Sequence, residues 1–180
     1  MNILGLDISS SITGASIVDE SGKILYCEAW DTRSKKYFPS LLHKAKFLET
    51  KLLELKSQFK IDKVYIEESL QSFRSGFSSA KTLSVLSKIN GIVSYTVYTI
   101  FGQEPEYLAA TSARKICGIK IPKGQKAKEV VLKYILDSDP DFVISYTRNN
   151  NPVPGSYDRA DSLVIARSGL KECKKVENKS

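Results

Sequence analysis

Ile3-Leu4-Gly5-Leu6-Asp7 is a short apolar run closed by an acid, and its reading decides the fold. Runs of this length and composition read as buried strands. The acid at the end is the informative residue, because carboxylates in such surroundings stay charged only when they are paired or bind a cation. Two later stretches repeat the pattern. Val64-Tyr65-Ile66-Glu67 ends in an acid, and Asp158-Arg159-Ala160-Asp161-Ser162-Leu163-Val164-Ile165-Ala166 places two acids at the head of an apolar helix. Three such places, far apart along the chain, point to one site assembled by the fold.

Working outward, Ile3–Ile8 is expected to be a strand, followed by Gly14–Val18 and, after the turn Asp19-Glu20-Ser21-Gly22, by Lys23–Trp30. Connections this short imply an antiparallel meander. Leu41, Leu42, Ala45, Leu48, Leu52 and Leu55 recur at helical spacing, so residues 39–59 should form an amphipathic helix. Val64–Glu67 then returns as a buried strand parallel to the first, as a helical crossover requires. A long helix from Ser78 to Phe101, a strand at Glu106–Ala110, and a short helix Ala113–Cys117 capped by Thr111 or Ser112 follow. Lys126–Leu136 and Tyr157–Leu170 are expected to be the last helices. Between them, Asp137–Ser156 carries three prolines and the run Asn149-Asn150-Asn151, the signature of a mobile or functional loop. These elements make an α/β fold: a mixed five-stranded sheet, three antiparallel strands plus parallel ones, flanked by helices. Residues 1–170 are expected to be one domain and 171–180 a charged, frayed tail.

Composition narrows the class. At 42% apolar residues the chain can bury a full core. Its formal net charge is +7 although several acids are reserved for the cluster, so the remaining surface is basic and suits a polyanion such as nucleic acid. Cys27, Cys117 and Cys173 form no Cys-x-x-Cys pair, and His43 is the single histidine. That argues for reduced thiols in an intracellular, cytoplasmic protein and against zinc. Leu83–Phe101 is long enough to span a bilayer but contains Lys88, Asn90 and Gly91, so it reads as a core helix. No membrane association, leader segment or nucleotide cofactor is expected.

Side chains alternate along a strand, so Asp7 shares a face with Ile3 and Gly5. Asp158 and Asp161, three apart on a helix, project from one face. Clustered carboxylates repel at a cost of several kcal/mol unless cations fill the site, an order of magnitude set by buried-charge penalties. Hard oxygen ligands select Mg²⁺, with Mn²⁺ able to substitute. Two such ions suit phosphodiester hydrolysis, one activating water and the other stabilising the leaving oxygen. Taken singly, each acid has an ordinary explanation. Asp7 could hold a turn, Glu67 or Glu68 could be exposed at a strand end, and Asp158 could cap a helix.

Ile3-Leu4-Gly5-Leu6-Asp7 with Thr13-Gly14, Tyr65-Ile66-Glu67, and Asp158 to Ala166 together resemble the RuvC family of Holliday junction resolvases, in family order and over nearly the whole chain. The resemblance implies an RNase H-like fold, a homodimer, and Mg²⁺-dependent cutting of four-way DNA junctions. It puts Asp7, Glu67, Asp158 and Asp161 in the places of the four catalytic acids, with Glu67 preferred to Glu68 because it follows Ile66 directly. Two departures stand out. Ser9 replaces a glycine common after the first aspartate, and Leu70 stands where bacterial members carry phenylalanine. Phe73 and Phe77 are the available substitutes, and the pattern leans toward the phage and viral branch.

For DNA contact, Gly124-Gln125-Lys126-Ala127-Lys128 resembles the family's glycine-and-lysine segment, and Lys123, Lys126 and Lys128 would neutralise phosphates. Phe73 and Arg74, in a basic aromatic stretch, could stack on an unpaired base. The same acids would also serve a nuclease of RNA–DNA hybrids. A sugar-kinase or actin-like ATPase opens similarly but needs two such domains, and a binding-only relative would have little reason to retain all four acids.

Overall fold

The computed structural model describes residues 1–68 and 80–177. Phe73, Arg74, Phe77 and Leu70 lie outside the described residues. Three strands, β1 (Ile3–Asp7), β2 (Ile12–Val18) and β3 (Ile24–Asp31), precede helix α1 (Leu41–Gln58) and strand β4 (Lys63–Glu67). Helix α2 (Ala80–Phe101), strand β5 (Glu106–Leu108) and helices α3 (Ala110–Cys117), α4 (Ala127–Ser138) and α5 (Ser156–Glu177) complete the chain. The strands form one sheet in the order β3-β2-β1-β4-β5. β1 pairs antiparallel with β2 and parallel with β4, so the expected mixed sheet is present and β1 lies at its centre.

Alternation along β1 divides the core. Leu4 and Leu6 face α1 and α2 with Ala15, Ile17, Trp30, Val64 and Ile66. Ile3, together with Tyr65 of β4, faces the opposite layer of α3, α4 and α5. Asp7 is in phase with Ile3 and Gly5, and Glu67 with Tyr65, so both acids turn toward α5.

Helix α5 decides where the site forms, because it lies almost against the sheet. A Cβ on Gly5 would stand 2.4 Å from the Ala166 nitrogen and 2.5 Å from the Ser162 carbonyl oxygen. A Cβ on Gly14 would stand 1.9 Å from the Asp158 carbonyl oxygen. Only glycine tolerates such an approach. Buried Ser162 meets the Ser16 hydroxyl of β2 at 2.7 Å, which satisfies both where no water reaches them. Leu163 and Ile165 are fully buried beneath α3 and α4, and each adds about 1.5–3 kcal/mol by the usual value for an aliphatic side chain.

Element ends differ from expectation in ways that packing explains. Helix α5 runs to Glu177 rather than Leu170, because Leu170 and Cys173 continue its buried face, with the Cys173 sulfur 3.4 Å from the Tyr65 hydroxyl. Helix α3 starts at Ala110 with Ala109 as its cap, so neither Thr111 nor Ser112 caps it; Gly118 ends it at φ 80°. β5 is correspondingly shorter. In α4 the buried residues are Val131, Leu132 and Ile135. The loop before α5 is an ordered hairpin joined by a bridge between Tyr146 and Pro152. Among the described residues no helix is long and apolar enough to cross a membrane.

Candidate active site

Asp7 ends the central strand. Parallel register pairs Leu6 with Ile66, so Asp7 and Glu67 are the next residues on two strands about 4.8 Å apart. The first turn of α5 crosses over them, carrying Asp158 and Asp161, whose side chains are each 17% exposed. All four sequence-identified acids therefore come to one end of the sheet. Glu68 does not share their face; its backbone N–H donates to the Leu108 carbonyl.

The turn after Asp7 is built by Ser9. Its hydroxyl donates to the Ile12 carbonyl at 2.7 Å and accepts from the Ser11 and Ile12 amides at 3.1 and 3.0 Å. A serine side chain thus supplies the turn that a glycine provides through backbone freedom. Lys44 of α1 donates to the Ser10 carbonyl and ties this turn to the helical layer.

Burial and mutual repulsion raise all four carboxylates. Burial, then the charges of Glu67 and Asp161, push Asp7 well above the usual carboxylate range, and Asp158 adds to this. Burial and Asp161 push Glu67 up to about 7. Burial raises Asp161 to about 6 with Asp158 adding, and burial raises Asp158 as well. Lys128 opposes all four shifts. Its ammonium stands 4.0 Å from an Asp158 oxygen and 3.9 Å from an Asp161 oxygen. Burial alone would lower the lysine's own pKa; the four carboxylates outweigh that and raise it.

Among the described residues no three acidic, histidine or cysteine side chains converge closely enough to hold a metal ion as placed. The carboxylates share a field, and the donor set suits a hard divalent cation. Any ion would be held by Asp7, Glu67, Asp158 and Asp161.

The basic residues sort differently from expectation. Lys123 is exposed, and Lys126 is exposed and pairs with Glu129 at 3.0 Å. Lys128 turns to the acids, one helical face away from its neighbours. Two cations escaped sequence reasoning. Arg114, in the last turn of α3, lowers the pKa of Glu67 and Asp161 by its charge, and Arg33, after β3, does the same for Asp158. Neither stands in a motif, and only the packing of α3 and β3 beside the sheet end brings them near.

The chain aligns over 97% of its length with 96% of Thermus thermophilus RuvC in complex with a Holliday junction substrate, at TM-score 0.67 and 18% identity. A further Thermus thermophilus RuvC structure matches over 98% of this chain and 97% of the other, at TM-score 0.65 and 19% identity. The fold is RuvC-like. The yeast mitochondrial Holliday junction resolvase Ydc2 shares it at TM-score 0.62 and 15% identity, over 98% of this chain and 80% of that one. At such identities the likeness establishes the RuvC-like, RNase H-type architecture and leaves the chemistry to the site. No family model matches the sequence, nor does any curated protein.

Proposed function

We propose that this protein is a divalent-metal-dependent endonuclease that resolves four-way DNA junctions, acting as a homodimer on two opposed strands. The observation that carries the reading is the gathering of Asp7, Glu67, Asp158 and Asp161, from two strands and a helix, into one acidic patch at the sheet end. The RuvC-like fold supports it, because its solved examples include a junction complex. The net charge of +7 suits a polyanionic substrate.

Mg²⁺ bound there would polarise a phosphodiester and lower the pKa of attacking water. The chain's own groups do the rest. Asp7, on the central strand and in the fields of the other three acids, is the residue best placed to serve two ions. Glu67 lies toward β5, which suits the leaving-group side, and Asp158 with Asp161 completes the water-activating side. Lys128 is a tethered cation that offsets the acids when no metal is present and is free to turn to a phosphate when one is. Lys123, with Lys126, would hold the flanking backbone, and Phe73 and Arg74 remain candidates for the junction centre.

The deciding experiment uses a labelled four-way junction with and without Mg²⁺, for the wild type and Asp7→Asn. Wild type should give paired, symmetric nicks only with the metal. Asp7→Asn should retain junction binding and cut nothing. Undiminished nicking by Asp7→Asn would refute the metal-site reading, and preferential cutting of an RNA–DNA hybrid would redirect the substrate assignment.

A further inference from the structure

The hairpin between α4 and α5 takes no part in the acid site, yet it is built with more care than a linker needs. Its root is fixed. Phe142 is 3% exposed, and the Arg159 guanidinium lies 4.9 Å from its ring centroid. Arg159 also donates to the Val143 carbonyl and to the Cys27 carbonyl of β3, each at 3.0 Å. Its return leg is fixed too, since Gly155 at φ 92° sits where a Cβ would meet the Ala29 Cβ at 2.6 Å. Between these anchors the backbone bonds to itself. Val153 N–H donates to Ser145 at 3.1 Å, Thr147 N–H to Asn151 at 2.7 Å, and Asn150 N–H to Thr147 at 2.9 Å. The Thr147 hydroxyl accepts from the Asn151 amide at 3.2 Å, and Asn150 takes the left-handed conformation at φ 57° that closes the tip.

This internal order has no internal beneficiary. Every residue from Ser145 to Asn151 is exposed, including Tyr146 at 53%. Arg148 at the tip has no ion-pair or hydrogen-bond partner among the described residues. From Phe142 to Tyr157 the chain contains no carboxylate, only guanidinium, hydroxyl, amide and aromatic groups beside aliphatic ones. These are the donors that proteins direct at phosphate and sugar. The anchoring residue Arg159 is the immediate neighbour of Asp158, so the arm's position is tied to the site. The return leg meets β3 at Ala29. Two residues further, β3 ends and the loop carrying Arg33, Lys35 and Lys36 leaves from the same sheet edge.

We propose that the hairpin Val143–Val153, together with the Arg33–Lys36 loop, forms a second DNA-contacting wall on the β3 side of the acid site, opposite the Lys123–Lys126 segment. Its occupant is the phosphodiester backbone of a duplex arm. Arg148 supplies the charge, and Tyr146 with Thr147 supplies hydroxyl donors. The five residue steps from Val143 to Arg148 reach up to about 16 Å, enough to follow a strand beyond the scissile phosphate.

The proposal rests on the nuclease reading above, and one titration separates the two. Binding of a fluorescent four-way junction is followed by anisotropy in EDTA, at several salt concentrations, for the wild type and for Tyr146→Ala/Arg148→Ala. The double variant should bind roughly tenfold more weakly, with a salt dependence shallower by about one counterion. Its melting temperature should be unchanged, because both side chains are exposed. An equal loss on a linear duplex also supports the arm, since the phosphates are the same. Unchanged affinity and salt slope in the variant would overturn the arm proposal alone. Failure of the wild type to bind the junction would overturn the nuclease reading and the arm with it.

Discussion

Replacing Glu67 by glutamine should make the metal-free protein more stable, and by an amount that depends on pH. Glu67 ordinarily titrates at 4.5, and burial with Asp161 carries it to about 7 in the folded protein. At 1.36 kcal/mol per pH unit, holding it ionised at pH 8 costs up to about 3 kcal/mol. The sign follows from proton counting. The folded state binds the extra proton between 4.5 and about 7, so stability is greatest below that window and is lost as pH rises through it. Glutamine removes the charge and keeps the shape. The gain should therefore be up to about 3 kcal/mol at pH 8 but only about 1 kcal/mol at pH 5.5. For a domain of this size these correspond to roughly 6–12 °C and 2–4 °C in melting temperature. Thermal melts by circular dichroism in EDTA, at the two pH values, measure both. Adding Mg²⁺ should raise the wild-type melting temperature at pH 8 and move the variant much less. A variant that melts no higher than wild type at pH 8 would refute the claim that Glu67 is buried against other acids.

Two further outcomes test the frame of the site. Gly14→Ala should lower the melting temperature by roughly 2–12 °C and abolish cleavage, because overpacking costs about 1–3 kcal/mol and the clash is with the Asp158 backbone rather than a movable side chain; an unshifted melt would show that α5 does not pack as described. Lys128→Ala should enlarge the melting-temperature gain that Mg²⁺ produces at pH 8, since the tethered ammonium that offsets Asp158 and Asp161 is gone. Equal gains in both proteins would mean that Lys128 does not stand in for a metal.

Local periodicity made much of this readable beforehand. The alternation in Ile3 to Asp7 and the length of Val64–Glu67 locate two acids on one sheet face, and three-residue spacing locates the other two on one helix. The antiparallel meander β1–β3 and the parallel pairing of β4 with β1 followed from connection lengths, because a three-strand meander and a helical crossover each permit few arrangements; the place of β5 beside β4 did not. What was not readable depends on approach between distant segments. Gly5 and Gly14 look like ordinary strand glycines until α5 is laid across them. Lys128 looks like one of several lysines, and only the orientation of α4 separates it from Lys126. Arg114 belongs to no pattern. The hairpin was masked by its prolines and asparagines, which signal irregularity whether or not the backbone bonds to itself. Helix α5 was expected too short because Lys171, Lys174 and Lys175 hide Leu170 and Cys173, which continue the buried face.

The close seating of α5 on β1 and β2 also bears on when this protein becomes competent. The helix that closes the acid site is the last described element, and its most extensive partners, β1 and β2, lie among the first twenty residues. Contacts of such sequence separation form late and carry the largest loop-closure cost. A chain still emerging from the ribosome holds Asp7 and Glu67 but not Asp158 or Asp161. The four acids therefore share one field only after α5 has docked on the closed sheet. For a protein proposed to cut DNA, folding topology itself acts as the safety catch.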